Sequence, residues 1–228
     1  NWTSGFLPAT HQGVAFRTTG DPIPDLATPK HTTAQERTAG SELLAQMNRS
    51  FSEATPGDSS LAARIRSYEM AAKMQLDVPG IVNLESETAE TQRLYGLDDK
   101  ITEGFGRNCL LTRKLLEKGV RFVQLWHGGA FGSPRINWDA HEDIVDNHRK
   151  QAAVLDKPLA GLLADMKRRG LLKDTLFVWS TEFGRTPFTQ GVGKPGRDHH
   201  QHAFTVFLAG AGLKAGFAHG ASDELGYK

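Results

Sequence analysis

The stretch from Gly196 to His202, "GRDHHQH", carries the densest group of side chains in this sequence that could do chemistry. His199, His200 and His202 offer imidazole nitrogens, which are common metal ligands, and Asp198 could bind the ion itself or orient one of the histidines. In an extended chain His200 and His202 share a face, while immediate neighbours diverge. The pattern predicts a metal site that uses some of these histidines, with a solvated histidine-rich loop as the alternative.

A second candidate group is "NWDAH", residues 137–141, in which Asp139 and His141 are two positions apart. An oxygen ligand and an imidazole ligand at short spacing suit zinc or manganese. The two side chains reach one point only if the backbone bends between them. The alternative is that Asp139 caps the helix predicted to follow and that His141 lies in its first turn.

The third group, "TEFGRTP", directly follows a predicted strand and contains Glu182 and Arg185. An ionised carboxylate at a buried strand end has a large desolvation cost unless a cation compensates it, so Glu182 is a candidate metal ligand. A salt bridge from Glu182 to Arg185 or Arg197 explains the carboxylate equally well. Both arginines are also candidates for binding an anionic substrate group, which a guanidinium contacts through two parallel hydrogen bonds.

The elements that must position these groups follow from the hydrophobic pattern. Apolar residues at helical spacing and glycine stop signals predict five helices, near residues 33–51, 59–76, 83–95, 104–119 and 143–169. Pro158 is expected to kink or split the last helix. Runs of β-branched and aromatic residues predict strands at 120–126, 174–180 and 204–210. A strand, a long helix and a strand in that order suggest a right-handed parallel crossover, so we expect the candidate groups to meet beyond the carboxyl ends of a parallel sheet.

The composition narrows the class of protein. A chain of 228 residues with 23% charged residues and a formal net charge of +1 has no strong electrostatic field, so nucleic acid is not an expected partner. No apolar run reaches the roughly 20 residues that a membrane-spanning helix needs. Cys109 lies in an apolar run and is expected to be buried rather than reactive. Residues 1–33 show no sustained period, so we expect an extended arm there and one domain at 34–228.

Taken together, the motifs resemble the family called domain of unknown function 1501. The resemblance is carried by "NWDAH", by "VLDKPLAGLLADMKRRGLLKDTLFVWSTEFGRTP" and by "GRDHHQHAFTVFLAGAGLKAGFAHGASDELGY", and the opening "NWTSGFLPATHQG" is also similar to a family segment. The family is grouped with the alkaline phosphatase and sulfatase superfamily. The resemblance therefore implies an α/β fold, an alkaline phosphatase-like three-layer α/β/α sandwich around a largely parallel sheet, with metal ions at the strand ends.

Matched position by position, the resemblance implies metal ligands at Asp139, His141, Glu182, and His199 or His200. Phe183 stands where the superfamily has a histidine ligand, and phenylalanine cannot coordinate a cation. We therefore expect one divalent ion at most, zinc, manganese or calcium, rather than a pair. The superfamily nucleophile belongs to a strand ahead of this segment, so no catalytic residue is assigned and the domain is expected to be incomplete at its N-terminus.

Two functions are expected on this basis. The first is a metal-dependent hydrolase of phosphate or sulfate esters, in which Arg185 and Arg197 bind the anionic oxygens of a small ester or glycan. The second is a non-catalytic relative whose crevice binds a glycan, an anion or a partner protein. The resemblance also implies a bacterial protein that is exported to the periplasm or the cell surface.

Overall fold

The structure, a computed structural model, describes residues 5–7, 13–17, 31–57, 60–66, 68–69, 83–128, 137–190, 192–193 and 195–228. The chain divides into two compact units, Asn1–Asn83 and Leu84–Lys228. All the candidate ligands belong to the second unit. The expected division into an arm at 1–33 and a domain at 34–228 stays a prediction, since most of residues 1–33 lie outside the described ranges.

The first unit contains helix α1, Ala34–Ala54, which confirms the first predicted helix. Thr33 and Glu36 form a capping box, because the Thr33 side chain accepts from Glu36 N at 3.2 Å and Glu36 Oε2 accepts from Thr33 N at 2.8 Å. Residues 60–66 and 68–69 are also helical, in agreement with the described part of the helix predicted at 59–76. The rest of that prediction lies outside the described residues.

The second unit carries helices first and strands last. Its helical elements are a 3₁₀ turn at Leu84–Ser86, α2 at Ala89–Leu94, α3 at Glu103–Glu117, α4 at Ile144–Arg168 and a second 3₁₀ turn at Leu171–Lys173. Its strands are β1 at Leu176–Trp179, β2 at Gly184–Arg185, β3 at His199–His200 and β4 at Phe207–Gly210. The helices predicted near 83–95, 104–119 and 143–169 are thus confirmed, and α4 continues through Pro158 instead of splitting there.

The core lies where α3 packs on α4 and where the turn after α2 enters between them. Its fully buried side chains are Tyr95, Cys109, Leu110, Leu162 and Met166. Burial raises the pKa of the Cys109 thiol, which confirms the expectation of a buried rather than a reactive cysteine.

Two glycines permit the close approach of the helices. A Cβ on Gly161 of α4 would lie 2.3 Å from the Leu94 carbonyl oxygen, and a Cβ on Gly106 of α3 would lie 2.2 Å from the Tyr95 carbonyl oxygen. Both contacts are shorter than any real side chain tolerates. The absence of a Cβ at these positions therefore sets the distance between α2 and the two longer helices.

A buried carboxylate joins the helices by polar contacts. Asp165 is fully buried and accepts a hydrogen bond from Tyr95 Oη at 3.0 Å, from Arg169 Nε at 2.9 Å and from Arg168 Nη2 at 2.8 Å. Arg113 Nε lies 3.3 Å from the same carboxylate. These partners compensate the cost of removing an ionised group from water.

The expected three-layer sandwich around a parallel sheet is wrong for the described residues. They contain two small antiparallel sheets, in which β1 pairs with β4 and β2 pairs with β3. The strands predicted at 174–180 and 204–210 occur as β1 and β4. The segment 120–126, predicted to be a buried strand, forms no described ladder, and Phe122 and Trp126 are 80% and 60% exposed.

The physical reason for this difference lies in the connections. A parallel pair needs a crossover between its strands, usually a helix, whereas an antiparallel pair needs only a reversal of the chain. Between β1 and β4 the described residues form the β2–β3 ribbon and loops, none of them helical, and the chain returns antiparallel. Helix α4 does lie between 120–126 and β1 in the chain, but no ladder joins these two segments in the described structure. None of the helices described is long and apolar enough to cross a membrane.

Candidate metal centre

Three segments of the second unit meet at the site: the loop 137–143 before α4, the strand β2, and the segment 195–200 that ends in β3. In the β2–β3 ribbon Arg185 is the partner of His199. Because neighbours on a strand project to opposite faces, His199 and His200 point to different surroundings. The ribbon therefore decides which of the two histidines faces the loop 137–143.

Backbone contacts fasten that loop to the segment 195–200. Arg197 N donates to Ala140 O at 3.1 Å. A Cβ on Gly196 would lie 2.0 Å from both the carbonyl carbon and the oxygen of His141, so only glycine allows this approach. The backbone thus brings His141 beside the histidine-rich segment, although the two are more than fifty positions apart in the sequence.

The centre of the site is a triangle of three potential ligand atoms from Asp139, His141 and His199. His141 Nε2 lies 3.0 Å from Asp139 Oδ1, His199 Nε2 lies 2.9 Å from the same oxygen, and the two Nε2 atoms lie 3.0 Å apart. The three side chains are between 36% and 43% exposed, so the triangle is open to a ligand from solvent. These three residues could hold a metal ion.

The lone pairs that face each other in this triangle favour a bound cation. His141 Nδ1 lies 2.7 Å from Gln190 Oε1, which is an acceptor, so a neutral His141 carries its proton on Nδ1 and directs the Nε2 lone pair at Asp139. A neutral His199 can donate its Nε2 proton but leaves the lone pairs of His141 and Asp139 facing each other at 3.0 Å. A second proton on His141 removes that repulsion, and so does a divalent ion, which accepts lone pairs from all three atoms.

The distances between the three ligand atoms match those expected around one bound ion. Ligands bonded to one ion at about 2.1 Å lie about 3.0 Å apart when they subtend a right angle and about 3.4 Å apart at the tetrahedral angle. The observed sides of 2.9 to 3.0 Å match three ligands on one face of an ion. A tetrahedral ion requires the atoms to spread by a few tenths of an ångström, which half-exposed side chains can do.

Arg185 supports the carboxylate of the triangle. Its Nη2 donates to Asp139 Oδ1 and to Trp138 O, and its Nη1 donates to Arg197 O at 3.0 Å. Partial burial raises the pKa of Asp139, but the hydrogen bonds from Arg185 and His199 outweigh it and hold the pKa at about 2. Asp139 is therefore ionised at neutral pH, as a metal ligand must be. Arg185 thus directs both Nη groups at this carboxylate and at backbone carbonyls, and its binding of an anion stays a prediction.

Phe183 lies against the imidazole of His199. Their ring centroids are 4.0 Å apart with planes inclined by 28°, and the Arg185 guanidinium lies 5.7 Å from the Phe183 ring centroid. Phe183 cannot coordinate a cation, but it restricts the orientation of a ring that can. Phe183 is thus part of the site's support.

The other predicted ligands lie outside the triangle. Glu182 is exposed, between β1 and β2. His200 is buried, its Nε2 donates to Gly226 O at 2.7 Å, and its Nδ1 accepts from the backbone N atoms of His202 and Ala203 at 3.1 Å each. Both nitrogens of the His200 ring are thus used by hydrogen bonds with the backbone, which leaves no lone pair for an ion.

Arg197, the second arginine predicted to bind an anion, donates from Nη1 to Gly196 O at 2.9 Å.

Two features of the site could not be read from the spacing of residues. Gln190 lies in a glycine-rich loop with no motif around it, yet it contacts His141. The sequence left open whether Asp139 caps the helix that follows it. The structure places Asp143, not Asp139, at the N-cap of α4, and the Asp143 side chain makes no capping hydrogen bond. Asp139 is therefore available to the triangle.

Comparison with known proteins gives one similarity. The family described as "Protein of unknown function (DUF1501)" matches residues 1–228. No curated protein and no solved structure matches.

Proposed function

Because this chain belongs to the DUF1501 family, whose description names no activity, we propose its function from the metal centre: it hydrolyses phosphate or sulfate esters with one divalent ion held by Asp139, His141 and His199. The observation that carries the proposal is the triangle of ligand atoms, 2.9 to 3.0 Å on each side. Three protein ligands leave a coordination position open, as in catalytic sites, whereas structural sites close with four.

The residues around the triangle have separate roles in this proposal. An ion held there supplies a Lewis acid for the ester oxygen and for the attacking water. Gln190 keeps the His141 lone pair directed at the triangle, and Arg185 keeps Asp139 ionised and in place. The remaining N–H groups of Arg197 contact the anionic oxygens of the ester, because Arg185 is engaged with the carboxylate.

Metal analysis of the purified protein tests the proposal first. After incubation with zinc, manganese or calcium and removal of loose ions, we expect about one ion per chain by plasma mass spectrometry. Asp139→Ala and His199→Ala should lose that ion. His202→Ala is the matched control, because His202 is an exposed histidine of the same segment that lies outside the triangle. Wild-type protein that retains no ion under any of these conditions contradicts the proposal.

Hydrolysis is the second test. Metal-loaded protein should release nitrophenol from 4-nitrophenyl phosphate or 4-nitrophenyl sulfate, and a chelator or His199→Ala should abolish the release. Protein that binds the ion but hydrolyses neither ester supports the second candidate, a non-catalytic binding protein. The observation that favours this candidate is that none of the described hydrogen bonds joins a serine, threonine or cysteine side chain to the triangle.

Membership of the alkaline phosphatase and sulfatase superfamily, and export from a bacterial cell, are further proposals that the sequence resemblance supports. Export predicts that the protein from its source cells is found in the periplasmic or surface fraction. Recovery from the cytoplasmic fraction alone contradicts it.

A further inference from the structure

A shallow cleft of about 310 Å³ opens beside the metal centre, and His199 lines both of them. The cleft combines aromatic rings with amide, hydroxyl and imidazole groups. Its other principal lining residues are Phe183, Phe188, Tyr227, Thr186, Gln201 and His202.

The C-terminal turn forms one wall of the cleft and is held by the buried histidine. Within the turn, Asp223 Oδ1 accepts from Tyr227 N at 2.7 Å. His200 Nε2 donates to Gly226 O at 2.7 Å, and a Cβ on Gly226 would lie 3.3 Å from the Pro187 ring. His200 thus does not bind the ion but fixes the position of Tyr227 relative to the ribbon that carries His199.

Two of the aromatic rings have exposed faces. Phe188 and Tyr227 are 49% and 52% exposed, with ring centroids 5.8 Å apart and planes inclined by 35°. Covering exposed aromatic rings with a flat apolar surface lowers the free energy, because it removes apolar area from water. Among the described residues no aspartate or glutamate lines the cleft, so an anionic ester in the neighbouring metal centre meets no repulsion from it.

The openness of the cleft indicates what could cover these rings. A pocket for a small aromatic group encloses most of its ligand, whereas this cleft leaves one side of an occupant in water. The exposed amide of Gln201, the exposed imidazole of His202 and the hydroxyl of Thr186 lie among the rings. Gln201 Nε2 lies 3.0 Å from His202 Nε2, and Thr186 Oγ1 donates to Phe188 O and accepts from Asp198 N. A pyranose ring suits both kinds of group, because its C–H face packs on an aromatic ring while its hydroxyl groups hydrogen-bond to the remaining donor and acceptor sites of the amide, the imidazole and the threonine.

We propose that this cleft binds the sugar ring of a phosphorylated or sulfated carbohydrate whose ester group lies at the metal centre. The inference rests on the proposed function for the ester group but not for the sugar ring. Phe188 and Tyr227 are binding residues for the ring, and His200 is a positioning residue that acts through Tyr227.

Binding of defined probes by calorimetry and by saturation-transfer NMR tests the proposal. For the metal-loaded protein we expect glucose 6-phosphate and glucose 6-sulfate to bind about 2- to 13-fold more tightly than the acyclic ester glycerol 3-phosphate, since ring stacking contributes about 0.5–1.5 kcal/mol. Phe188→Ala and Tyr227→Ala should each remove most of that preference, whereas Tyr227→Phe should keep it. Phe217→Ala is the control, because Phe217 is 61% exposed but does not line the cleft.

The outcomes separate this proposal from the proposed function. If chelator-treated protein still transfers saturation to methyl glucoside, and Tyr227→Ala abolishes the transfer, the sugar site stands even where no metal binds. If metal-loaded protein hydrolyses glycerol 3-phosphate and glucose 6-phosphate equally well, and neither ring variant changes this, the sugar site is refuted while the hydrolase stands. Tight binding of 4-nitrophenyl phosphate with no contact to any sugar also refutes it.

Discussion

Phe183 stacks on His199 with 4.0 Å between the ring centroids, so a side chain that cannot bind metal orients one that can. We predict that Phe183→Ala weakens metal affinity by about tenfold, the lower end of what support residues around a metal site contribute. Phe183→Tyr keeps an aromatic ring in the stack and should bind metal as the wild type does. Competition with a fluorescent chelator measures both affinities, and an unchanged affinity in Phe183→Ala refutes the supporting role.

Gln190 accepts the Nδ1 proton of His141 and so selects the form of the ring whose Nε2 can bind an ion. Gln190→Leu removes the acceptor and should lower metal affinity by about 10- to 100-fold. Gln190→Glu retains an acceptor and should retain affinity. The backbone of Gln190 pairs with Gly196, so neither change removes that contact. Equal affinities for the two variants, measured by chelator competition, argue against a tautomer set by Gln190.

Gly161 is predicted to be essential to the packing of α4 on the turn after α2. A Cβ at this position would lie 2.3 Å from Leu94 O, so Gly161→Ala should destabilise the protein by about 1–3 kcal/mol or more through overpacking. Gly104→Ala is the matched control in α3, where a Cβ meets nothing within 4 Å and the higher helix propensity of alanine should stabilise by about 0.5–1 kcal/mol. Urea denaturation measures both. Equal effects of the two substitutions contradict the packing argument.

Asp165 should make the stability of the protein depend on acid. Burial raises its pKa, but hydrogen bonds from Arg168, Arg169 and Tyr95 lower it by more, so the folded pKa lies below the ordinary 3.8. A carboxylate with a depressed folded pKa stabilises the protein above its unfolded pKa, and this stabilisation is lost as the pH falls through the folded value. The free energy of unfolding should therefore decrease below about pH 5.

Asp165→Asn tests this dependence. It removes the buried negative charge that Arg168 and Arg169 contact and that lies 3.3 Å from Arg113 Nε, and it should cost about 3–5 kcal/mol at neutral pH. The further loss in acid should be smaller than the wild type shows. Asp146→Asn is the control, since Asp146 forms an exposed pair with Lys150 on the same helix. Urea titrations at several pH values between 2 and 7 give the slopes. A wild-type slope that survives in Asp165→Asn assigns the acid sensitivity to other groups.

The helices of the second unit were predictable because their signals are local. Apolar residues three and four apart mark the buried faces of α3 and α4, and Gly119 and Gly170 stop them with positive φ angles of 82° and 77°. The strand pairing was not predictable in the same way. An apolar run indicates that a segment can be a strand, but the partner and the direction of that strand depend on contacts distant in the sequence. The order of elements predicted a parallel sheet, and the described strands pair antiparallel instead.

For the candidate site, the sequence by itself determined the chemistry: it placed carboxylates and imidazoles in three short segments and supplied the glycine at 196. Only the tertiary structure decided which of them meet, because the β2–β3 register directs His199 toward Asp139 and His141 and turns His200 toward Gly226. Adjacent residues of a strand face opposite sides, and a register is set by the partner strand rather than by the residues themselves. The residue types are therefore known from the sequence alone, whereas which of two neighbouring histidines faces the other candidate ligands depends on the fold.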